Sequence, residues 1–146
     1  VFDIFGVIES SAYWERCLNL IDKLPKNIQC KYHGFVSPDE VLEIFSRYDL
    51  FLFPTGGENY GHVIAEAISV GTRVLISKNT PWLNIQAEKL GWDIDLASTS
   101  EFVDSIKQVA SESVNERLRQ RSIVRKAAAE RFKNSPSILD NRSLFP

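Results

Sequence analysis

Apolar runs of strand length alternate along the chain with stretches of helical spacing. The strand-like runs lie at residues 2–5, 28–32, 50–53, 73–76 and 93–96. Between them, apolar side chains recur every three or four residues, as in a helix that buries one face. Such alternation is typical of a mostly parallel sheet flanked by helices. The pattern therefore predicts an α/β fold.

The helical stretches have recognisable beginnings and ends. Helices are predicted at residues 12–24, 38–48, 62–70, 101–110 and 114–132. Ser37, Pro38 and Glu40 give the second helix an N-cap, a first-turn proline and the glutamate of a capping box. The fifth helix is highly charged, and its predicted apolar stripe comprises Leu118, Ile123, Val124, Ala127, Ala128 and Phe132. A break at 134–136 precedes a short terminal segment from residue 138.

Composition limits the classes of function. The chain has 146 residues, 44% of them hydrophobic, which suits one domain over residues 1–146. Its 17 basic and 19 acidic residues give a formal charge of −2, and no basic cluster alternates with aromatic residues, so a nucleic-acid partner is not expected. The apolar runs are far shorter than the roughly 20 residues of a membrane span, and no secretory leader is visible. These features favour a soluble, cytoplasmic protein.

Glycines follow the predicted strands. They are Gly6 after the first strand, Gly34 after the second, and Gly56, Gly57 and Gly61 after the third. In open parallel sheets, ligands bind outside the carboxyl ends of the strands, and a glycine there lets the backbone approach a ligand closely. The helix predicted to begin at His62 would also present free N–H groups and a positive dipole end. Residues 59–63 are therefore predicted to favour an anion such as a phosphate.

Two glutamates stand eight positions apart in this region. Glu58 lies in the glycine-flanked loop, and Glu66 lies about one turn into the helix. The residues next to Glu66 are apolar and leave little room for a solvated face on the helix. They are Ile64, Ala65, Ala67 and Ile68. A buried unpaired carboxylate is costly, whereas an ionised carboxylate accepts hydrogen bonds in pairs, which suits the vicinal hydroxyls of a sugar. The two glutamates are predicted to line one cleft at different depths.

The segment ENYGHVIAEA at residues 58–67 resembles the E-x7-E signature of the retaining glycosyltransferases of family 4. Supporting segments stand in the expected order: the strand before Gly6, YHGFV at 32–36, NTPW at 79–82 and GW at 91–92. The resemblance spans roughly residues 1–132. It implies the GT-B fold, in which two Rossmann-like domains meet at the active site. This chain would be the C-terminal half, which binds the nucleotide sugar.

The resemblance also implies roles for individual residues. Glu58 would be the catalytic residue and would meet hydroxyls of the transferred sugar, while Glu66 would accept hydrogen bonds from the ribose. The other implied donor contacts are Gly6 at the diphosphate, Phe35 and Val36 beside the base, the backbone of Asn59, Tyr60 and Gly61 at the sugar and diphosphate, and His62. The implied reaction transfers a sugar from a UDP- or GDP-linked donor with retention of the anomeric configuration. No metal and no further cofactor is implied.

The same resemblance implies partners and a biological setting. The acceptor would be a glycan or a lipid-linked molecule, bound by an N-terminal domain that this chain lacks, in cell-surface polysaccharide biosynthesis. Members of the family carry one more strand before the first strand here, followed by an arginine and a lysine that bind the diphosphate. The chain is therefore expected to be an inactive part of a larger enzyme that is peripheral to the membrane. The missing strand favours a homodimer, and Lys78 and Arg73 are candidate substitutes for the missing cations.

Two other functions remain open from the sequence. The same cleft would also serve a nucleotide-binding module without catalysis, or a sugar-nucleotide epimerase of the same fold, although the glutamate spacing fits an epimerase less well. A phosphoacceptor domain would need an aspartate after the third strand, where Pro54 and Thr55 stand, so that class is disfavoured.

Overall fold

The computed structural model describes residues 1–134, and the terminal segment predicted from residue 138 lies outside them. The elements in chain order are β1 (Phe2–Phe5), α1 (Ser11–Ile21), β2 (Cys30–Gly34), α2 (Pro38–Ser46), β3 (Leu50–Phe53), α3 (His62–Ser69), β4 (Arg73–Ser77), β5 (Gly91–Ile94), α4 (Thr99–Ala110) and α5 (Val114–Asn134). Two compact units divide the chain, one formed by Val1–Val41 and the other beginning at Leu42. All strand pairs in the described chain are parallel. This confirms the predicted α/β fold of parallel strands flanked by helices.

The first unit is a β-α-β segment. β1 and β2 pair in parallel, with Phe2 opposite Cys30, and α1 connects them. α1 begins after Ser10, whose hydroxyl accepts a hydrogen bond from the N–H of Tyr13 at 3.3 Å and so satisfies one free donor of the first turn. The rings of Trp14 on α1 and Tyr32 on β2 lie 4.7 Å apart, centroid to centroid. An aromatic contact therefore joins the helix to the strand pair.

The second unit is built on the three-stranded sheet β3-β4-β5, with β4 in the centre. Every residue of β4 is buried, and its side chains alternate between the two faces of the sheet. Val74 and Ile76 belong to one core cluster with residues of α3 and α5, whereas Leu75 packs with Ile94 and Phe102. The sheet is therefore covered by α3 and α5 on one face and by α4 on the other.

α5 presents only a narrow apolar face to this core. Val124 and Ala128 are fully buried there, and Ala127 and Phe132 pack at the margin. Leu118, which was predicted to belong to the same stripe, is instead 62% exposed. The reason is that the first turns of α5 are attached by polar contacts rather than by apolar ones.

A row of three arginines on α5 makes these polar contacts. Arg117 forms an ion pair with Asp49 at 3.0 Å, and Arg121 donates to the carbonyl of Tyr48 at 2.6 Å. Arg125 donates to the carbonyl of Val70, just after α3, at 2.9 Å. α5 is thus polar over most of its length, and within residues 1–134 no helix combines the length and apolarity needed to cross a membrane.

Several element boundaries differ from the prediction by one to three residues, and three of them show why. β2 begins at Cys30 rather than at residue 28, because the register with β1 begins there and the apolar Ile28 is 42% exposed. β5 begins at Gly91 rather than at residue 93, because Gly91 pairs with Val74 of β4. α1 ends at Ile21, several residues before the proline that was expected to end it. In each case backbone pairing or local hydrogen bonding, not side-chain polarity, sets the boundary.

Candidate functional site

Two loops of the second unit lie at the same edge of its sheet. The Glu58 loop (residues 54–61) joins β3 to α3, and the Trp82 loop (residues 78–82) follows β4. β3 and β4 are parallel neighbours, and Phe53 at the end of β3 lies opposite Ile76. The two loops therefore leave the sheet side by side at its carboxyl edge, which is where ligands bind in sheets of this kind.

Short hydrogen bonds tie the Glu58 loop to the end of β4. The fully buried Ser77 donates its hydroxyl to the carbonyl of Thr55 at 2.6 Å. The hydroxyl of Thr55 in turn donates to the carbonyl of Gly57 at 2.8 Å. The backbone N–H of Glu58 donates to the carbonyl of Asn79 at 3.1 Å. The Glu58 loop is therefore bonded at Thr55 and at Glu58 to the last residue of β4 and to the loop that follows it.

The carboxylate of Glu58 is held by the backbone that follows it. Its Oε1 atom accepts hydrogen bonds from the N–H groups of Tyr60 and Gly61, both at 3.1 Å. These bonds, that of Tyr60 first, hold the pKa of the Glu58 carboxyl below its ordinary value of 4.5. Among the described residues, the N–H of Asn59 adds a weaker attraction to the carboxylate, and no donor meets the geometry of a hydrogen bond to Oε2. Glu58 is therefore ionised at neutral pH, with one oxygen anchored and the other open.

This arrangement refines the expectation for the backbone of the Glu58 loop. The N–H groups of Asn59, Tyr60 and Gly61 were predicted to approach a sugar and a diphosphate. In the structure the N–H groups of Tyr60 and Gly61 donate to Glu58, and that of Asn59 also helps to lower the Glu58 pKa. These backbone groups therefore orient the carboxylate in this conformation.

Glu66 occupies a different environment on α3. Its neighbours Ile64, Ala65, Ala67 and Ile68 are all buried, as the sequence predicted, and Glu66 itself is half-buried. Its carboxylate has no hydrogen-bond partner within residues 1–134. Burial raises the pKa of Glu66 above its ordinary value of 4.5, and the nearby His62 opposes that shift. A partly desolvated carboxylate of this kind gains from a ligand that brings hydroxyl donors.

The start of α3 carries backbone donors that the helix itself does not use. Gly61 precedes the helix with φ 72° and provides no side-chain cap. In the part of the chain that the structure describes, the N–H groups of His62 and Val63 have no hydrogen-bond acceptor. The exposed ring of His62 stacks on that of Tyr60 with centroids 5.7 Å apart. The helix start therefore offers free donors and a positive dipole end to an anion.

The Trp82 loop contributes a contact that the sequence did not predict. Trp82 is 5% exposed and belongs to the core. Its indole Nε1–H also donates to the carbonyl of Tyr60 at 2.9 Å. These two residues are 22 positions apart, so no local pattern indicates their contact. The sequence could indicate only that the indole N–H of a buried tryptophan usually finds a hydrogen-bond acceptor, not which acceptor it is.

The two cations considered from the sequence differ in position. Arg73 is the first residue of β4, at the amino end of the strand and away from both loops. It is buried and forms two hydrogen bonds to Glu112, each 2.6 Å long, so it is not a substitute for a diphosphate-binding cation. Lys78 directly follows β4 and is exposed at the carboxyl edge. Of the two, only Lys78 stands where an anion at this edge would lie.

Three predicted site residues lie in the first unit. Gly6 follows β1 with φ 126°, a conformation that favours glycine, and a Cβ atom added there would meet no atom within 4 Å. Its N–H donates to Gly34 at 2.7 Å, and its carbonyl accepts from the hydroxyl of Tyr32 at 2.7 Å. Phe35 is 72% exposed, and Val36 is half-buried. The roles of Gly6, Phe35 and Val36 stay predictions.

The described residues of the second-unit site offer carboxylates and backbone donors. Within residues 1–134, no group of three or more His, Cys, Asp and Glu side chains is placed to hold a metal ion. The open oxygen of Glu58 and the carboxylate of Glu66 accept hydrogen bonds from hydroxyl groups. The N–H groups at the start of α3 attract negative charge. The site is thus suited to a polyhydroxylated ligand that carries an anionic group.

Because the carboxylate of Glu66 has no hydrogen-bond partner among residues 1–134, we expect a gain of stability when its charge is removed. Because its pKa is raised on folding, Glu66 destabilises the fold as pH rises above the ordinary value of 4.5 and through the folded pKa, and has no such effect below 4.5. Glu66→Gln is expected to raise the free energy of unfolding at pH 7 by up to about 0.5 kcal/mol. The difference should vanish near pH 4. Thermal unfolding of both proteins between pH 4 and pH 7 measures it.

Glu130→Gln on the exposed face of α5 is the control, and it should leave the pH profile unchanged. A loss of stability at pH 7 in Glu66→Gln would contradict this prediction, because it would mean that the carboxylate already makes a favourable contact in the free protein.

Comparison with known proteins places the chain in a family. A sequence model of the glycosyl transferases group 1 matches residues 1–130. No curated protein and no solved structure shows a significant match to the chain. The match covers both glutamates, both loops and most of the described chain, which confirms the prediction of a glycosyltransferase domain. The chain belongs to the glycosyl transferases group 1 family.

Proposed function

We propose that this domain binds a nucleotide-diphosphate sugar and forms the donor site of a retaining glycosyltransferase of family 4. The observation that carries the proposal is the pair of glutamates around the start of α3. Glu58 is fixed with one carboxylate oxygen open, and Glu66 is half-buried without a partner in the described chain. Two carboxylates in these states suit the hydroxyls of two sugars in one ligand.

Glu58 is assigned to the transferred sugar, and it is the proposed catalytic residue. Its anchored Oε1 atom keeps the carboxylate in one orientation, so Oε2 is available to hydroxyl groups without further ordering of the side chain. Its lowered pKa keeps it ionised throughout the physiological range, and an ionised acceptor makes the stronger hydrogen bond. A fixed, charged acceptor is what orientation of a sugar at a reaction centre requires.

Glu66 is assigned to the ribose of the nucleotide. Its position on α3 is partly desolvated, and the raised pKa reflects that cost. Two vicinal hydroxyls would donate to its two oxygens and satisfy the carboxylate. Binding of the ribose would therefore recover part of the free energy that burial of Glu66 costs in the free protein.

The start of α3 is assigned to the diphosphate. The N–H groups of His62 and Val63, which meet no acceptor in the described part of the chain, favour negative charge there together with the helix dipole. In the reaction, the bond between the anomeric carbon and the diphosphate oxygen breaks, and negative charge grows on the leaving diphosphate. Fixed donors at that point lower the barrier, because they stabilise the transition state more than the ground state. Lys78 is a candidate to add a positive charge at the same edge.

The identity of the donor and the biological role are proposed from the resemblance alone. The donor is UDP- or GDP-linked, and the acceptor is a glycan or a lipid-linked molecule. The new glycosidic bond keeps the anomeric configuration of the donor. The proposed setting is cell-surface polysaccharide biosynthesis in the cytoplasm at the membrane surface, with no metal or cofactor beyond the nucleotide sugar.

Calorimetric titration tests the donor site. UDP, GDP, ADP and UDP-glucose are titrated into the native chain and into Glu66→Ala. One nucleotide is expected to bind in preference to the others, and Glu66→Ala should weaken its affinity about tenfold or more, since a hydrogen bond to a charged group contributes roughly 1.5–3 kcal/mol. The control Glu130→Ala removes an exposed carboxylate from α5 and should leave the affinity unchanged.

Equal affinity in Glu66→Ala and the native chain would refute the role of Glu66. Absence of binding to all four ligands would refute the donor site in this chain. A non-catalytic module would bind the nucleotide sugar without ever releasing nucleoside diphosphate in the presence of acceptor. An epimerase would convert the nucleotide sugar without an acceptor, and nuclear magnetic resonance of the recovered sugar would reveal that conversion.

A further inference from the structure

We propose that Trp82 is a positioning residue that sets the orientation of the Glu58 carboxylate through a single peptide group. The peptide between Tyr60 and Gly61 accepts a hydrogen bond from the Trp82 indole at its carbonyl, at 2.9 Å, and donates one to Glu58 at its N–H, at 3.1 Å. The two bonds lie on opposite sides of one planar unit. Rotation of that unit would break both of them, so Trp82 and Glu58 constrain each other.

The hydrogen bond from the Trp82 indole to this peptide is called the tether. It matters because the peptide could otherwise adopt other orientations. Gly61 has φ 72°, and glycine allows its backbone an unusually wide range of conformations. The Glu58 loop is largely exposed at Gly56, Gly57, Asn59 and Tyr60, so solvent competes for its hydrogen-bonding groups. A buried donor on the carbonyl side selects the one orientation in which the Gly61 N–H points at Glu58.

Trp82 is itself rigid enough to act as this tether. Its side chain is 5% exposed, and its backbone N–H donates to the hydroxyl of Thr80 at 3.2 Å. The guanidinium of Arg131 on α5 lies over the indole ring, 4.6 Å from its centroid, and also forms an ion pair with Glu88. The indole N–H therefore has a fixed direction before it meets the loop.

The Trp82 loop holds Glu58 at a second point. The carbonyl of Asn79 accepts the backbone N–H of Glu58 at 3.1 Å, while Trp82 acts on the carboxylate through Gly61. The Trp82 loop thus positions both the main chain and the side chain of Glu58. This inference rests on the proposed function for its effect on the donor, but the tether itself is a property of the free protein.

Trp82→Phe is the variant that tests the tether, because it removes the indole N–H and keeps an aromatic ring. The pKa of Glu58 is measured by carbon-13 resonance titration of the glutamate carboxyls in the full chain, with Glu58→Gln used to assign the signal. The Glu58 pKa is expected to rise toward its ordinary value in Trp82→Phe, since the Gly61 N–H is no longer held against the carboxylate. Affinity for the preferred nucleotide sugar should fall about three- to tenfold, the effect of one lost hydrogen bond.

Trp92→Phe is the matched control. Trp92 is half-buried on β5, and its indole donates to no group of the described chain, so the variant should leave both the Glu58 pKa and the donor affinity unchanged. A merely structural role for Trp82 would lower the melting temperature without moving the Glu58 pKa, and that result would overturn the inference. If the Glu58 pKa shifted in Trp82→Phe but the donor affinity did not change, the proposed effect of Trp82 on donor binding would be overturned.

Two further results separate this inference from the proposed function. If the native chain binds no nucleotide sugar but Trp82→Phe shifts the Glu58 pKa, the proposed function fails and the tether stands. If Trp82→Phe does not fold, the tether is tested in the native chain by nuclear magnetic resonance. A scalar coupling between Trp82 Nε1 and the Tyr60 carbonyl carbon across their hydrogen bond is expected. Its absence would overturn the tether.

Discussion

Replacing Gly61 with alanine is expected to abolish donor binding and to lower the free energy of unfolding by about 2–4 kcal/mol. An added Cβ atom would lie 2.6 Å from Nε1 and 2.8 Å from Cδ1 of Trp82, and 3.0 Å from Cδ1 of Ile64. The indole is buried and cannot move aside cheaply. Alanine also disfavours the φ of 72° that this position requires. Both effects displace the peptide that orients Glu58.

Chemical denaturation and nucleotide titration measure the two consequences of Gly61→Ala. Gly57→Ala is the control for stability, because a Cβ atom there meets nothing within 4 Å and the residue has no positive φ. That variant should change the free energy of unfolding by no more than about 0.5 kcal/mol. A Gly61→Ala protein as stable as Gly57→Ala would show that the Glu58 loop adapts freely, which would contradict the described packing of Trp82 on Gly61.

Replacing Glu112 with alanine is expected to destabilise the second unit by about 3–5 kcal/mol. The carboxylate of Glu112 makes two parallel hydrogen bonds to the guanidinium of Arg73, and the two side chains are only 13% and 7% exposed. Without Glu112, Arg73 would remain buried and charged at the start of the central strand without its ion-pair partner. Equilibrium unfolding in urea measures the loss.

The ion pair between Arg47 and Glu43 provides a matched comparison. Both of its side chains are well exposed on one helix, 65% and 69%, so Glu43→Ala should cost no more than about 0.5 kcal/mol. The double variant Arg73→Met with Glu112→Leu removes both charges and should regain most of the stability that Glu112→Ala loses. If the double variant were as unstable as Glu112→Ala, the unpaired charge could not be the cause.

Much of the fold was predictable because its signals are local. The strand Leu50–Phe53 and the helix at 62–70 followed from apolar runs and from spacing, and the structure has β3 and α3 at those places. The S-x-x-E pattern at Ser113 is an equally local signal, typical of a helix start. There the carboxylate of Glu116 accepts the N–H and the hydroxyl of Ser113, each at 2.7 Å, so α5 begins with a capping box.

The parts that sequence reasoning missed depend on contacts between distant residues. Arg73 looked like a free cation because it stands at a strand end, but its partner Glu112 lies 39 positions away. The tether from Trp82 to Tyr60 likewise crosses 22 positions. The spacing of Glu58 and Glu66 predicts that both line one cleft, and that role stays a prediction. Which oxygen of Glu58 is anchored, and by which peptide, depends on the conformation of Gly61 and was not predictable.

The attachment of α5 affects the order in which the second unit completes folding. Val124 and Ala128 close the core over α3 and β4, and Arg121 reaches a carbonyl 73 positions earlier in the chain. During synthesis, β3, α3 and β4 leave the ribosome long before these residues do. Their apolar faces stay exposed to solvent in that interval, and chaperones would bind them then. Such non-local closure also predicts slower folding than a helical bundle of similar size would show.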